Sequence, residues 1–253
     1  MYVMPLKHTG FQCCCNSVAT WLKMRSCVLI TVVVALLGCK KQEDRQTIPP
    51  AGDYFPLTQG SNWHYTPDNS NTGFVLYGDV TGTTTVNGKT YSVLNYDPGN
   101  TNFANFISNS LFRKQDGKYY QLITNRQLNF PLDEPGYFEF VFMEDNAPVG
   151  TNWISKIVGT FTFSNGSVRM EEDYDGKISE YYPTFQLDDT HTYSDVVRVT
   201  MDMYSQSFAA DNTRVGEVHI VYDQWYARDK GLIKTVDYSP SGFAVRLDTL
   251  ELH

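Results

Sequence analysis

The sequence has no cysteine beyond residue 39. The five cysteines of the chain are Cys13, Cys14, Cys15, Cys27 and Cys39. The body that follows therefore cannot hold a disulfide, a thiol nucleophile or a cysteine-ligated metal ion. It does not need disulfides, because a chain of about 200 residues can bury a sufficient hydrophobic core.

The chain also has no acidic residue before Glu43 and only one pronounced apolar run, Cys27–Gly38. A helix over these twelve residues would be about 18 Å long, which is too short to span a membrane but is typical of a signal peptide or a core helix. Lys23 and Arg25 lie just before the run. This arrangement predicts a secretory signal over residues 1–38, because such signals have a basic segment, then a short apolar stretch, then a small residue at the cleavage site.

The run ends in Leu36-Leu37-Gly38-Cys39, which resembles the lipobox of bacterial lipoproteins. This resemblance implies cleavage between Gly38 and Cys39, and lipidation of Cys39. The alternatives are a chance cysteine after an ordinary signal, or an uncleaved anchor. Met24 is followed by Arg25 and would open a normal short signal, so we expect translation to start there and residues 1–23 to be a gene-model extension.

Removal of residues 1–38 would leave 17 basic and 28 acidic residues, a net charge of −11. An acidic body repels nucleic-acid phosphates, which argues against a nucleic-acid partner. It also repels anionic lipid, so we expect attachment to the outer membrane through the lipid on Cys39.

Residues 39–53 are polar and contain Pro49-Pro50, which predicts a flexible, extended tether. The acidic pair Glu43-Asp44 resembles signals for display on the outer face of the cell. The alternative is an ordinary solvated linker, so the periplasmic face and the cell surface both remain open.

Residues 54–253 show no convincing helical periodicity, and their apolar residues alternate with a period of two. The alternation places Phe138, Phe140 and Phe142 on one face of a strand. It likewise separates Val197, Val199, Met201 and Met203 from the polar residues between them, and Val218, Ile220 and Tyr222 from Glu217, His219 and Asp223. Such alternation is typical of half-buried strands. We therefore predict a single all-β domain of antiparallel hairpins, arranged as a sandwich or as an open half-barrel.

Four dipeptides have the composition of two-residue hairpin turns, which need positive φ at both central positions. They are Asn87-Gly88, Asp116-Gly117, Asn165-Gly166 and Asp175-Gly176.

A faint internal repeat links Phe55–Tyr65 to Ala147–Ile157. Both segments contain proline followed by Gly-Ser/Thr-Asn-Trp, ending at Trp63 and Trp153. The repeat indicates two similar half-sheets, or else it is a chance recurrence of a turn sequence.

Five segments follow one another along the chain: YFPLTQGSNWHY, VNGKTYSVLNY, LFRKQDGKYYQLI, APVGTNW and QWYARDKGLIKT. Together they resemble a family of uncharacterised Gram-negative envelope lipoproteins. The resemblance covers most of residues 54–238 and implies a curved antiparallel sheet similar to that of lipoprotein carriers. It implies no activity, and carrier function taken from the fold alone would be analogy. In the last segment, Gly231 is expected to supply a positive φ at a corner beside Trp225 and Tyr226.

Catalytic motifs are absent: the sequence has no G-x-S-x-G, no H-E-x-x-H and no phosphate-binding glycine loop. We expect no cofactor and no catalytic residue. Glu171, Asp173, Asp175 and Gly176 match the front of a calcium loop, but Tyr182 stands where the bidentate Glu is needed. The preferred interpretation is therefore an Asp-Gly hairpin with an acidic outer face, and the metal site is expected to be absent.

One strand face carries Glu217, His219, Asp223 and Trp225, which could serve acid–base chemistry in a cleft. The alternative function is therefore a secreted hydrolase with its site on residues 217–225. The leading hypothesis is a non-enzymatic, lipid-anchored envelope protein that binds an apolar or glycan ligand or an envelope partner.

Aromatic side chains either line ligand grooves or fill sheet cores. The candidate ligand-facing residues are Trp63, Trp153, Trp225 and Tyr226.

Overall fold

The computed structural model describes residues 48–67, 76–97, 110–124, 136–163, 166–239 and 244–253, all within the compact unit Gln46–His253. The predicted signal segment, the Gly38–Cys39 cleavage and lipidation site, and residues 39–47 of the predicted tether lie outside these ranges. No helix long and apolar enough to cross a membrane occurs within them.

The described residues form twelve β-strands, which confirms the all-β prediction. The strands of the first half are β1 (Asn62–Pro67), β2 (Leu76–Val86), β3 (Lys89–Asp97), β4 (Ser110–Gln115), β5 (Lys118–Thr124) and β6 (Tyr137–Glu144). Those of the second half are β7 (Asn152–Phe163), β8 (Gly166–Gln186), β9 (Thr192–Ala209), β10 (Arg214–Ala227), β11 (Gly231–Asp237) and β12 (Ala244–Glu251).

All twelve strands belong to one antiparallel sheet in the order β6-β5-β4-β3-β2-β1-β12-β11-β10-β9-β8-β7. Each half of the chain is a six-stranded meander, and β1 pairs with β12 to join the halves. The two outermost strands come together: Trp153 on β7 donates its indole N–H to the carbonyl of Val141 on β6 at 2.7 Å. The sheet therefore curls towards closure, which corresponds to the predicted half-barrel and not to a two-layer sandwich.

The internal repeat has the same backbone geometry in both halves. Gly60 and Gly150 each have φ of 95°. The Gly60 amide donates to the carbonyl of Val80 at 2.8 Å, and the Gly150 amide donates to that of Ile178 at 2.8 Å. In each half, the glycine thus links the turn before the first strand to the backbone of the second strand. This shared geometry confirms the prediction of two similar half-sheets.

Each of these turns leads to a tryptophan opposite a glycine. Trp63 on β1 pairs with Gly78 on β2, and Trp153 on β7 pairs with Gly176 on β8. A glycine in a strand leaves space that a large neighbouring side chain can cover. The repeat therefore extends from the turn into the first strand pair.

Two of the predicted hairpin turns form as expected. Asn87-Gly88 joins β2 to β3 with φ values of 48° and 75°, and Asp116-Gly117 joins β4 to β5 with 52° and 76°. Asn165-Gly166 is described only at Gly166, where β8 begins. Gly231 has φ of 92° at the start of β11, which confirms the predicted corner.

The hairpin predicted at Asp175-Gly176 is wrong. Both residues lie in the middle of β8, a strand of 21 residues. A Cβ at residue 176 would overlap the Trp153 indole. The glycine is therefore required by the packing of this tryptophan, and not by a turn.

The core lies on the inner face of the curled sheet and is centred on Phe55. Its ring lies 5.2 Å from those of Phe112 and Phe142, 6.0 Å from that of Trp63 and 6.2 Å from that of Tyr226. These four partners belong to β4, β6, β1 and β10. The segment before β1 thus inserts an aromatic side chain between distant strands, which buries the apolar faces that the period of two predicts.

The backbone beside Phe55 is fixed by the hydroxyl of Tyr119 on β5. This oxygen accepts the Tyr54 amide at 2.8 Å and the ammonium of Lys114 at 2.7 Å, and it donates to the carboxylate of Asp53 at 2.9 Å. Lys114 in turn pairs with Asp145 at 2.6 Å. The last residue of the predicted tether, Asp53, is therefore attached to the folded body.

Candidate functional site

Strands β7 to β10 continue beyond the rest of the sheet. Strand β11 pairs with β10 only from Tyr222 to Ala227. Beyond that point, four strands form what we call the extension: residues 154–163 of β7, 166–175 of β8, 202–209 of β9 and 214–221 of β10.

A single cross-strand row on the inner face of the extension runs from a buried to an exposed residue. Ile157 pairs with Glu172, Glu172 with Ser205, and Ser205 with Val218. Ile157, Glu172 and Ser205 are at most 8% exposed, whereas Val218 is 53% exposed. The row is therefore open to solvent at its β10 end.

The neighbouring row of the extension is mostly apolar and lies towards the core. Tyr174 pairs with Met203, and Met203 pairs with Ile220. The ring of Tyr174 stacks on Phe140 of β6 with centroids 4.8 Å apart. Met203 and Ile220 are half-buried, so this row offers apolar contact surface without being sealed.

Glu172 is the one carboxylate of the row that runs from Ile157 to Val218, and its described partners are hydroxyls. Tyr174 donates to Oε2 at 3.0 Å, and Ser205 donates to Oε1 at 3.3 Å. No ion pair to Glu172 occurs among the described residues. Burial raises the pKa of Glu172, and the two hydroxyl hydrogen bonds oppose this only in part. The site is thus a desolvated carboxyl group on an apolar, half-open face.

The four aromatic residues that the sequence nominated as ligand-facing are buried and serve packing. Trp63 and Tyr226 are 2% exposed, and Trp153 and Trp225 are 8% and 7% exposed. The indole N–H of Trp63 donates to the carbonyl of Lys230 at 2.7 Å, as that of Trp153 does to Val141. The burial of these side chains gives the ligand-facing role no support, and that role stays a prediction.

The nominated hydrolase residues lie on the outer face of β10, as the alternation predicts, but they do not converge. Glu217 and His219 have side chains 52% and 56% exposed, and His219 pairs with Asp202 at 2.7 Å. Asp223 is buried and accepts the hydroxyl of Thr200 at 2.5 Å. An acid–base pair in a shared cleft would need these groups to point at one another.

The calcium candidate forms no loop. Glu171, Asp173 and Asp175 alternate along the outer face of β8, where residues of one face are about 6.6 Å apart and cannot surround one ion. Lys156 contacts Glu171 at 2.6 Å and Asp173 at 3.8 Å. Within the described part of the chain, no three His, Cys, Asp or Glu side chains are placed to hold a metal ion.

The buried position of Glu172 could have been predicted from the sequence, although it was not among the predicted site residues. In the stretch Glu171–Ile178, the acidic residues Glu171, Asp173 and Asp175 share one face. The same alternation places Glu172 on the opposite face with Tyr174 and Ile178, as the only charged member. A single acid in an otherwise apolar alternation indicates a buried polar position.

Comparison with known proteins gives one distant likeness. No protein-family model matches the chain, and no curated protein matches it. Among solved structures, a candidate lipoprotein from Parabacteroides distasonis ATCC 8503 is 13% identical, with a TM-score of 0.42 over 80% of this chain and 100% of its own. A likeness of this size carries no argument about function.

Proposed function

We propose that the protein is a non-enzymatic, lipid-anchored protein of the bacterial outer membrane, and that the inner face of the extension binds an apolar ligand. The observation that carries the binding role is the exposure of Val218 at the end of a row in which Ile157, Glu172 and Ser205 are buried. A ligand that covers this apolar surface would bind favourably, because burial of apolar surface contributes about 25 cal/mol per Å² to the free energy of binding.

The anchoring role rests on the sequence. The apolar run ends at the lipobox-like Leu36–Cys39, and the chain between Cys39 and the first described residue, Ile48, is polar. A body with an excess of acidic residues needs a covalent anchor to stay at an anionic membrane. A lipid on Cys39 followed by a tether would supply it.

The anchoring test compares Cys39→Ser with Cys27→Ser, which changes a cysteine within the signal segment. We expect the intact mass of the wild-type protein to correspond to a chain that begins at an acylated Cys39. Cys39→Ser should lose the acyl mass and leave the membrane fraction, whereas Cys27→Ser should behave as the wild type. Membrane recovery of unacylated Cys39→Ser at the wild-type level would contradict the anchoring role.

The binding test uses the neutral, environment-sensitive probe N-phenyl-1-naphthylamine. Val218→Asp places a charge on the inner face, and Ile154→Asp makes the same change on the outer face of β7, where Ile154 is 67% exposed. We expect Val218→Asp to weaken probe binding about tenfold, equivalent to about 1.4 kcal/mol. Ile154→Asp should leave it unchanged, and equal effects of the two variants would argue against this binding face.

A further inference from the structure

We propose that the ligand of the extension is an amphiphile with a primary ammonium head group, and that Glu172 binds this head with the hydroxyls of Tyr174 and Ser205 beside it. This inference rests on the proposed function, because it assigns the chemistry of the ligand to the same inner face.

Glu172 has hydrogen-bonding capacity that its described partners do not use. An ionised carboxylate offers about four acceptor positions. Among the described contacts, Tyr174 fills one position on Oε2 and Ser205 one on Oε1. Both oxygens therefore have an acceptor position left for donors from a ligand.

The charge of Glu172 favours a cationic ligand. Charged groups taken out of water are normally paired with an opposite charge. The half-buried Glu171 and the exposed Glu217 have cationic partners in Lys156 and Arg214. Glu172 is more buried than either and contacts no cation in the described ranges. The cation that would complete the site is therefore expected to come from the ligand.

The surroundings of Glu172 suit an ammonium group better than a metal ion. Calcium takes about six to eight oxygen ligands, and Mg²⁺ needs about six. The immediate surroundings of Glu172 supply one carboxylate and two hydroxyls, and no metal-binding group of three acids or histidines occurs in the part of the chain that the structure describes. An ammonium group needs only acceptor oxygens, and its three N–H donors match the free positions on a carboxylate.

The residues beside Glu172 offer apolar surface to the tail of an amphiphile. Ser205 lies between Glu172 and the exposed Val218 in one cross-strand row. Met203 and Ile220 occupy the next row and are half-buried. A head group at Glu172 would therefore place its chain along Val218, Met203 and Ile220, which are exposed or half-buried apolar positions of this face.

The experiment compares three probes with the same eight-carbon chain, octylamine, 1-octanol and octanoate, as competitors of N-phenyl-1-naphthylamine on the whole mature protein at pH 7. We expect octylamine to bind about tenfold or more tightly than 1-octanol, since a hydrogen bond between charged groups is stronger than one from a neutral hydroxyl. Octanoate should bind less tightly than 1-octanol, because its charge repels Glu172.

Glu172→Gln and Glu171→Gln form a matched pair of variants, because they remove one negative charge from adjacent residues on opposite faces of β8. Glu172→Gln should reduce the octylamine preference to within about twofold of 1-octanol, whereas Glu171→Gln should retain it. Equal effects of the two variants would mean that the amine responds only to net charge, and would overturn the assignment.

The wild-type probe series is decisive by itself if Glu172→Gln does not fold. Equal binding of the three probes would overturn the ammonium assignment but leave the apolar binding role intact. Failure of all three probes to compete would overturn both. Octanoate as the tightest probe would also overturn the assignment, since it would indicate a neutral Glu172 that donates its proton to an acid.

Discussion

Trp153 and Gly176 form one unit in which the indole ring lies where a side chain at residue 176 would be. The two residues are cross-strand partners on β7 and β8. The same indole donates its N–H to Val141 of β6 at 2.7 Å. One tryptophan thus covers a glycine on its neighbouring strand and links the two ends of the sheet.

Replacement of Gly176 by alanine should destabilise the fold, because the added Cβ would meet the Trp153 ring. Forcing one methyl into a filled position costs about 1–3 kcal/mol. The measurement is the free energy of unfolding in urea. Gly82→Ala is the control, since a Cβ at this strand glycine would meet nothing within 4 Å, and its effect should stay within about 0.5 kcal/mol.

The sequence was sufficient to predict which side chains share a face of a strand, because successive side chains of a pleated strand point to opposite faces. Phe140 and Phe142 of β6 are buried, and so are Val199 and Met201 of β9, as alternation requires. The turns at Asn87-Gly88 and Asp116-Gly117 could also be predicted, because the positive φ values that such a turn needs depend only on the two residues of the turn.

The role of Gly176 could not be predicted from its neighbours. Asp175-Gly176 has the same local composition as the true turns, and only Trp153, on another strand, explains why a glycine is required there. Likewise, the contact of β6 with β7 depends on how far the sheet curls, which no stretch of the sequence specifies. The buried position of Glu172 could be predicted from the alternation, but only the structure shows that no cation among the described residues pairs with it.

Phe55→Ala should be among the most destabilising single changes, at about 3–5 kcal/mol, because the ring packs against aromatic residues of four strands. Urea unfolding of the wild type and the variant measures the loss. Ile48→Ala truncates another apolar side chain of the same segment, but Ile48 is 59% exposed, so we expect almost no effect. Comparable losses for both variants would mean that the segment acts through its backbone and not through the Phe55 ring.

Tyr119→Phe should loosen the segment that carries Phe55. The lost hydroxyl leaves the Tyr54 amide and Lys114 without one of their partners, and an unsatisfied buried group costs about 1–3 kcal/mol. Hydrogen exchange should show faster exchange at Tyr54 and Phe55 than in the wild type. Tyr120→Phe removes the neighbouring hydroxyl on the opposite side of β5 and should leave exchange of the segment unchanged.

The pH dependence of stability should contain a contribution from Glu139. Burial alone would raise its pKa, but hydrogen bonds from Arg113, Lys89 and Tyr91 outweigh burial and lower the pKa to about 2. Because the folded-state pKa lies below the unfolded value of about 4.5, this stabilisation is complete above pH 4.5 and is lost as the pH falls towards 2. It amounts to at most about 3 kcal/mol.

Glu139→Gln tests this contribution in urea unfolding between pH 2 and pH 7. The variant should be less stable than the wild type at pH 7, and the difference should shrink as the pH falls from about 4.5 to about 2, because Glu139 of the unfolded wild type takes up a proton over this range while that of the folded wild type stays ionised until about pH 2. Glu144→Gln is the control on the same strand. Glu144 has an ion pair with Lys118, whose side chain is 44% exposed, and exposed pairs contribute less than about 1 kcal/mol. A wild-type-to-Glu139→Gln difference that stays constant over this pH range would show that the loss comes from packing and not from the charge of Glu139.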